Sequence, residues 1–325
     1  MASANKFTFW PAGAAALSAA AVASALWNRQ AAKQAERATP PIGQFVDVEG
    51  TTLHYLRRGQ GLPVVLLHGN GTMIQDWCIS GVFDRLAVRH DVIAFDRPGC
   101  GHSSRPRTVV WTPAEQAKLI VEGLQRLGIE RATIVGHSFG SMVAAAIAAE
   151  YPRLVDHLVL LSGYYYPTAR IDSVVNSPPA LPVVGDVLRY TLSPLLGRAM
   201  KPAVYRQLFA PAAVTPAWKR AFPIEMTLRP SQIRAVSADG ALMIPAAAKL
   251  AKRYGEWRMP VSIVTGDGDK VVDPEGQSMR LASEVPNSRL VVIRGAGHMV
   301  QHIDPVRVSE VIEGSEYAPQ LAQAS

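Results

Sequence analysis

The chain has 325 residues, 48% hydrophobic and 18% charged, with a formal net charge of +7 and two cysteines. These values exclude a globally disordered chain and a disulfide-built mini-domain, and they predict one sizeable domain or one domain carrying an insertion. The positive charge admits an anionic partner, but no Lys/Arg-rich run with interleaved aromatics is present, which argues against nucleic acid.

The first element is an apolar run, Phe7 to Trp27 (FTFWPAGAAALSAAAVASALW), with no charge between Lys6 and Arg29. Its length predicts a membrane-spanning helix with Phe7, Phe9, Trp10 and Trp27 at the interfaces. Two other readings stay open: a signal peptide, since Ala23-Ser24-Ala25 fits a small-residue cleavage pattern, and a soluble extension. Arg29, Lys33 and Arg37 beyond the run favour a cytoplasm-facing body, and export follows if the segment is cleaved. Residues 1–40 therefore read as anchor and linker, ending at Pro40-Pro41.

Phe45–Gly59 predicts a hairpin turning at Glu49-Gly50. Six apolar bursts follow: PVVLLHGNG, DVIAFDRPGCG, ATIVGHSFG, HLVLLSG, VSIVTGDGD and RLVVIRGAGH. Each is Val/Ile/Leu-rich and unalternated, as in parallel strands covered by helices on both faces. Helical patterns fall at Pro113–Leu127, Gly140–Tyr151, Gly276–Ser283 and Pro305–Glu313, so the fold class is α/β with a mostly parallel sheet. From Gly163 to about Ala235 the alternation stops, and prolines and short helical pieces predict a helical cap. The expected core is residues 41–162 and 236–325, with the cap at 163–235.

The polar residues cluster just after the strands, where open α/β sheets place their sites. GHSFG (Gly136–Gly140) fits G-x-S-x-G, which would hold Ser138 on a strained strand-to-helix turn with a helix N-terminus behind it. A Cβ at either glycine would strike the neighbouring strand or helix. Ser138 needs a base. His298, after the last strand and Gly295/Gly297, is the first candidate, and His302 is its rival. The base needs a carboxylate. Asp269 is best placed, with Asp267 as the alternative or a turn-former and Asp273 as a helix cap. For an oxyanion, the N–H of Phe139 and a donor at Asn70, or Gly71, are expected, with His68 buttressing their loop. DRPGCGHS (Asp96–Ser103) lacks the third glycine of a dinucleotide site and reads as a structural turn. Cys78 and Cys100 give no zinc spacing.

With HGNG, DRPGCGHS, GHSFG, GDGDKVV and GAGH in order from Phe45 to about Glu313, the sequence resembles the α/β-hydrolase superfamily, specifically its cap-bearing serine esterase-like branch. The resemblance implies a triad of Ser138, Asp269 and His298, and no metal or organic cofactor. Serine in place of an aspartate nucleophile argues against haloalkane dehalogenase and epoxide hydrolase chemistry, leaving Tyr164, Tyr165, Tyr166, Tyr190 and Tyr205 as packing residues. Residues 163–234 carry nine basic and three acidic side chains around apolar stretches. The expected reaction is hydrolysis of a small-molecule acyl ester, lipophilic in character, with a membrane lipid surface as a possible partner. Competing readings are a C–C bond hydrolase, a cofactor-free perhydrolase or haloperoxidase-like enzyme, and a non-catalytic ligand receptor.

Overall fold

The computed structural model describes residues 9–169 and 177–314. In chain order it contains α1 (Phe9–Ala38), β1 (Gln44–Val48), β2 (Thr51–Arg58), β3 (Pro63–Leu67), α2 (Gln75–Ser80), α3 (Val82–Leu86), β4 (Asp91–Phe95), α4 (Pro113–Arg126), β5 (Ala132–His137), α5 (Phe139–Glu150) and β6 (Val155–Leu161). A helical stretch follows, with α6 (Val184–Tyr190), α7 (Leu192–Phe209), α8 (Pro216–Ala221), α9 (Ile224–Thr227) and α10 (Pro230–Leu250). The chain then forms β7 (Val261–Gly266), α11 (Arg280–Glu284), β8 (Ser288–Ile293), α12 (Val300–Ile303) and α13 (Pro305–Ile312).

The eight strands form one sheet in the order β1-β2-β4-β3-β5-β6-β7-β8. β1 and β2 pair antiparallel, as do β2 and β4, and every other pair is parallel. The hairpin turns where expected: Glu49 and Gly50 have φ of 47° and 76°, the two positive values that a tight primed turn requires. Successive side chains of a strand point to opposite faces. Val65, Leu67, Ile134 and Ile263 therefore enter one core, beneath α4 and α5. Val64, Leu66, Val135 and Val264 enter the other, with Trp77, Phe83 and Val308. Burial on both faces explains the unalternated bursts. The edge strand β8 has exposed Arg289 and Val292 between more buried positions.

The helical stretch between β6 and β7 meets the loops at the carboxyl ends of the strands. The His298 N–H donates to the Leu208 carbonyl at 3.0 Å, and the Asn70 side-chain amide donates to the Val236 carbonyl at 3.0 Å. Arg170 and Asp172, counted in the cap's charge, lie outside the described residues.

The membrane-spanning expectation for the N-terminal segment is overturned. Among the described residues no helix is long and apolar enough to cross a membrane. α1 is rich in alanine, a weakly apolar residue, and its second half turns polar and engages the helical stretch instead. Ser24 Oγ donates to the Thr191 carbonyl, and Asn28 Nδ2 to the carbonyls of Tyr190 and Thr191, each at 3.0 Å. Trp27, expected at a lipid interface, lies under the Arg198 guanidinium at 4.5 Å, and Glu36 pairs with Arg229 at 2.9 Å.

Candidate active site

The site is built first from glycines. A Cβ at Gly136 would lie 2.4 Å from the Gly140 carbonyl oxygen, and one at Gly140 would lie 2.3 Å from that of Leu67. Both contacts are far inside van der Waals distance, so only glycine lets α5 start directly on the ends of β5 and β3. Between them Ser138 takes φ 54° and ψ −120°, a region that a side-chain-bearing residue occupies only under constraint. Its N–H donates to the Leu161 carbonyl at 2.9 Å, tying the turn to β6. Ser141 follows in the first turn of α5, and its hydroxyl donates to the Gly136 carbonyl at 2.8 Å.

β7 and β8 supply the other two groups. A Cβ at Gly266 would strike the carbonyls of Ala296 and Gly297, so glycine there lets the last loop cross the end of β7. The crossing brings His298 Nδ1 to 2.8 Å from Asp269 Oδ2. The other carboxylate oxygen accepts the N–H groups of Val271 and Val272 at 2.8 and 3.0 Å. Burial pushes the Asp269 carboxyl pKa up, but the charge and hydrogen bond of His298, with those two N–H groups, outweigh it and leave the net value lowered. The group therefore stays ionised against the imidazole.

The residue before Ser138 lies beside this pair. The His137 ring lies 5.1 Å from the His298 ring, and His137 Nε2 donates to the His298 carbonyl at 3.0 Å. No hydrogen bond joins the Ser138 hydroxyl to His298 among the described residues, and such contacts commonly tighten only when substrate binds. His302 is taken up elsewhere: its Nε2 lies 2.6 Å from the buried carboxylate of Asp76. Asp267 accepts the Gly295 N–H at 2.7 Å and fixes the turn, while Asp273 accepts the Gly276 N–H at 2.9 Å, each in a role weighed for it.

The HGNG loop runs past the serine. A Cβ at Gly69 would lie 3.1 Å from Ser138 Cβ. The Asn70 side chain is engaged with the Val236 carbonyl, which leaves its backbone N–H as the donor to consider. Neither that N–H nor the N–H of Phe139 meets a protein acceptor among the described residues. His68 buttresses the loop: Nδ1–H donates to the Gly69 carbonyl at 2.8 Å and Nε2 accepts the Arg97 N–H at 2.9 Å. Burial, then the Arg97 charge, lowers its pKa to about 4, so it is neutral. Tyr164, Tyr165 and Tyr166 are buried in the sheet's core, as packing residues.

Sequence reading missed the groups around Asp76, which also contacts Gln301, and it missed Arg97 and Asp239. Arg97 stood in DRPGCGHS, a motif read only as a turn. Asp239 lies in α10 with nothing in its local pattern to mark it.

A model of the alpha/beta hydrolase fold matches residues 63–305. The chain belongs to this family. An uncharacterised protein of Mycobacterium bovis is 30% identical over 286 residues, covering 84% of this chain and 81% of that protein. The 2-hydroxy-6-oxo-2,4-heptadienoate hydrolase of Pseudomonas putida is 29% identical over 266 residues, covering 80% and 91%. Among solved structures, the enol-lactonase from Burkholderia xenovorans superposes with a TM-score of 0.68 at 20% identity, covering 83% of this chain and 98% of that one. This alpha/beta hydrolase is accordingly a hydrolytic enzyme with the eight-stranded sheet described above.

Proposed function

We propose that this alpha/beta hydrolase cleaves a carboxylic ester through an acyl-enzyme formed on Ser138. The carrying observation is the 2.8 Å Asp269–His298 pair, with the ring of His137, the residue before Ser138, 5.1 Å from the His298 ring. On substrate binding, His298 Nε2 takes the Ser138 proton as the oxygen attacks the carbonyl carbon. The N–H groups of Asn70 and Phe139 hold the resulting oxyanion. His298 then gives the proton to the leaving alcohol, and water activated by His298 releases the acid. Asp269 keeps Nδ1–H oriented and stabilises the imidazolium.

The helical insertion, residues 163–235, serves as the cap and favours a lipophilic acyl group. Its helices border an open groove of about 790 Å³ lined by Pro202, Tyr205, Ala210 and Val214, with Lys201, Arg206 and Lys219 at its rim. A Cβ on Gly297, next to His298, would lie 2.3 Å from the Ala210 carbonyl, so this wall adjoins the proposed base.

The test is a series of p-nitrophenyl esters of rising chain length, assayed with wild type and Ser138→Ala. Turnover that rises with chain length and vanishes in the variant is the expected result. The Pseudomonas relative supports a second reading, hydrolysis of a dienoic keto-acid. Turnover of 2-hydroxy-6-oxo-2,4-heptadienoate with no esterase activity would replace the first reading with the second.

A further inference from the structure

We infer that Arg97 is a positioning residue for the oxyanion donors, fixed in place by Asp239 of α10. This rests on the ester-hydrolase reading and deepens it. In a trans peptide the C=O and the following N–H point in opposite directions. The Gly69–Asn70 peptide is trans, since the one cis bond among the described residues is Ala210-Pro211. The direction of the Gly69 carbonyl therefore decides the direction of the Asn70 N–H.

Three donors hold that carbonyl: His68 Nδ1 at 2.8 Å, Thr72 Oγ1 at 3.2 Å and Arg97 Nη2 at 3.2 Å. Arg97 Nε also donates to the His68 carbonyl at 2.9 Å. The same guanidinium lies over the Phe139 ring, 4.6 Å from its centroid. One side chain thus touches the carbonyl of the peptide that carries the Asn70 N–H and the ring of Phe139, the residue after Ser138.

Arg97 cannot shift freely. Its Nη1 lies 2.7 Å from Asp239 Oδ2 and 2.8 Å from Gln116 Oε1, with the Arg97 and Asp239 side chains fully buried. Arg105 meets the other oxygen of Asp239 at 2.8 Å. Two cations against one carboxylate leave a net positive charge buried behind the loop. Two more contacts press α10 on the same loop: Val236 accepts from the Asn70 side chain, and Gln232 Nε2 donates to the Thr72 carbonyl at 3.2 Å. The helix is a backrest, and Arg97 transmits its position to the donor peptide. Carbonyl-holding of this kind acts on the tetrahedral state and leaves ground-state binding nearly alone.

The experiment compares full-length wild type, Arg97→Met, Arg97→Lys and Arg105→Met. Active sites are first titrated with a fluorophosphonate. Wild-type labelling that is lost in Ser138→Ala is the precondition, and its absence would defeat the ester-hydrolase reading itself. Per active site, Arg97→Met is expected to lose kcat by about 100-fold, with KM within about 3-fold. A boronic acid that mimics the oxyanion should weaken in parallel with kcat/KM. Arg97→Lys should recover part of the loss. Arg105→Met removes the second cation from Asp239 while leaving the Arg97–Asp239 pair and the HGNG loop contacts in place, and it should keep kcat within about 3-fold. If Arg97→Met keeps wild-type kcat per site, or Arg105→Met loses as much, the inference is overturned. Should both Arg97 variants fail to fold, Thr72→Val tests the same carbonyl. A loss of about 3- to 10-fold in kcat supports the inference, and an unchanged kcat and boronate affinity overturns it.

Discussion

At residue scale the chemistry depends on a few atoms held against their preferences. Ser138 sits at φ 54° because Gly136 and Gly140 allow backbone to approach backbone at distances no Cβ permits. Gly140→Ala would push a methyl into the Leu67 carbonyl. Urea unfolding should show a loss of about 1–3 kcal/mol or more, together with falling active-site titre. Ser138→Ala removes only the Oγ, so it should keep the wild-type melting temperature while losing at least about 10⁴-fold in kcat. Asp269→Asn should keep the fold and lose about 10⁴-fold, because an amide at Oδ2 favours the wrong imidazole tautomer. Steady-state kinetics on titrated enzyme separates these cases. The triad candidates were legible because each follows a strand and a glycine turn. Arg97 was not, because its role depends on a carbonyl it meets only in three dimensions.

Individual elements followed their local signals closely. α4 begins at Pro113 with Thr112 accepting the Glu115 N–H, the capping chemistry that proline and threonine announce. α5 begins at Phe139, one residue before the expected start, because Ser138 itself is the turn. The segment expected as a helix at Gly276–Ser283 opens as a π-helical turn over Glu275–Met279 before α11. There Gln277 is drawn inward, its Oε1 accepting the N–H groups of Tyr165 and Tyr166 at 2.6 and 2.8 Å. α1 is the element whose apolar pattern misled. Its Asn28 amide caps the carbonyls at the end of α6, so Asn28→Ala should cost about 1 kcal/mol. Hydrogen exchange should quicken in residues 184–191. Unchanged protection there would show that α1 contributes nothing to holding α6.

Across the whole molecule, burial of neutral histidines sets the acid limit. His68, His137 and His157 all have pKa values lowered to about 4, with burial the largest cause in each. In the unfolded chain each would titrate near 6.5. Between pH 6.5 and about 4 the unfolded state therefore binds more protons than the folded one. The stability these groups contribute is fully present above 6.5 and falls as the pH drops through that window. Each proton taken up steepens the fall by about 1.4 kcal/mol per pH unit. Urea unfolding across this range should show that slope rising toward about three protons. A flat profile would mean that the three rings are protonated in the fold.

The sequence by itself determined the sheet, the glycine turns, and which serine, carboxylate and imidazole end up at its carboxyl edge. Apolar runs, glycines and chain order are local information, and parallel strands convert that order into proximity. Tertiary structure alone decided that α1 lies against the helices between β6 and β7 and that His302 belongs to Asp76. It also decided that Asp239, 142 residues from Arg97, holds it behind the HGNG loop. Those pairings are between buried charges and polar atoms, whose partners are chosen by the need to satisfy each group away from water, and no spacing along the chain encodes that choice.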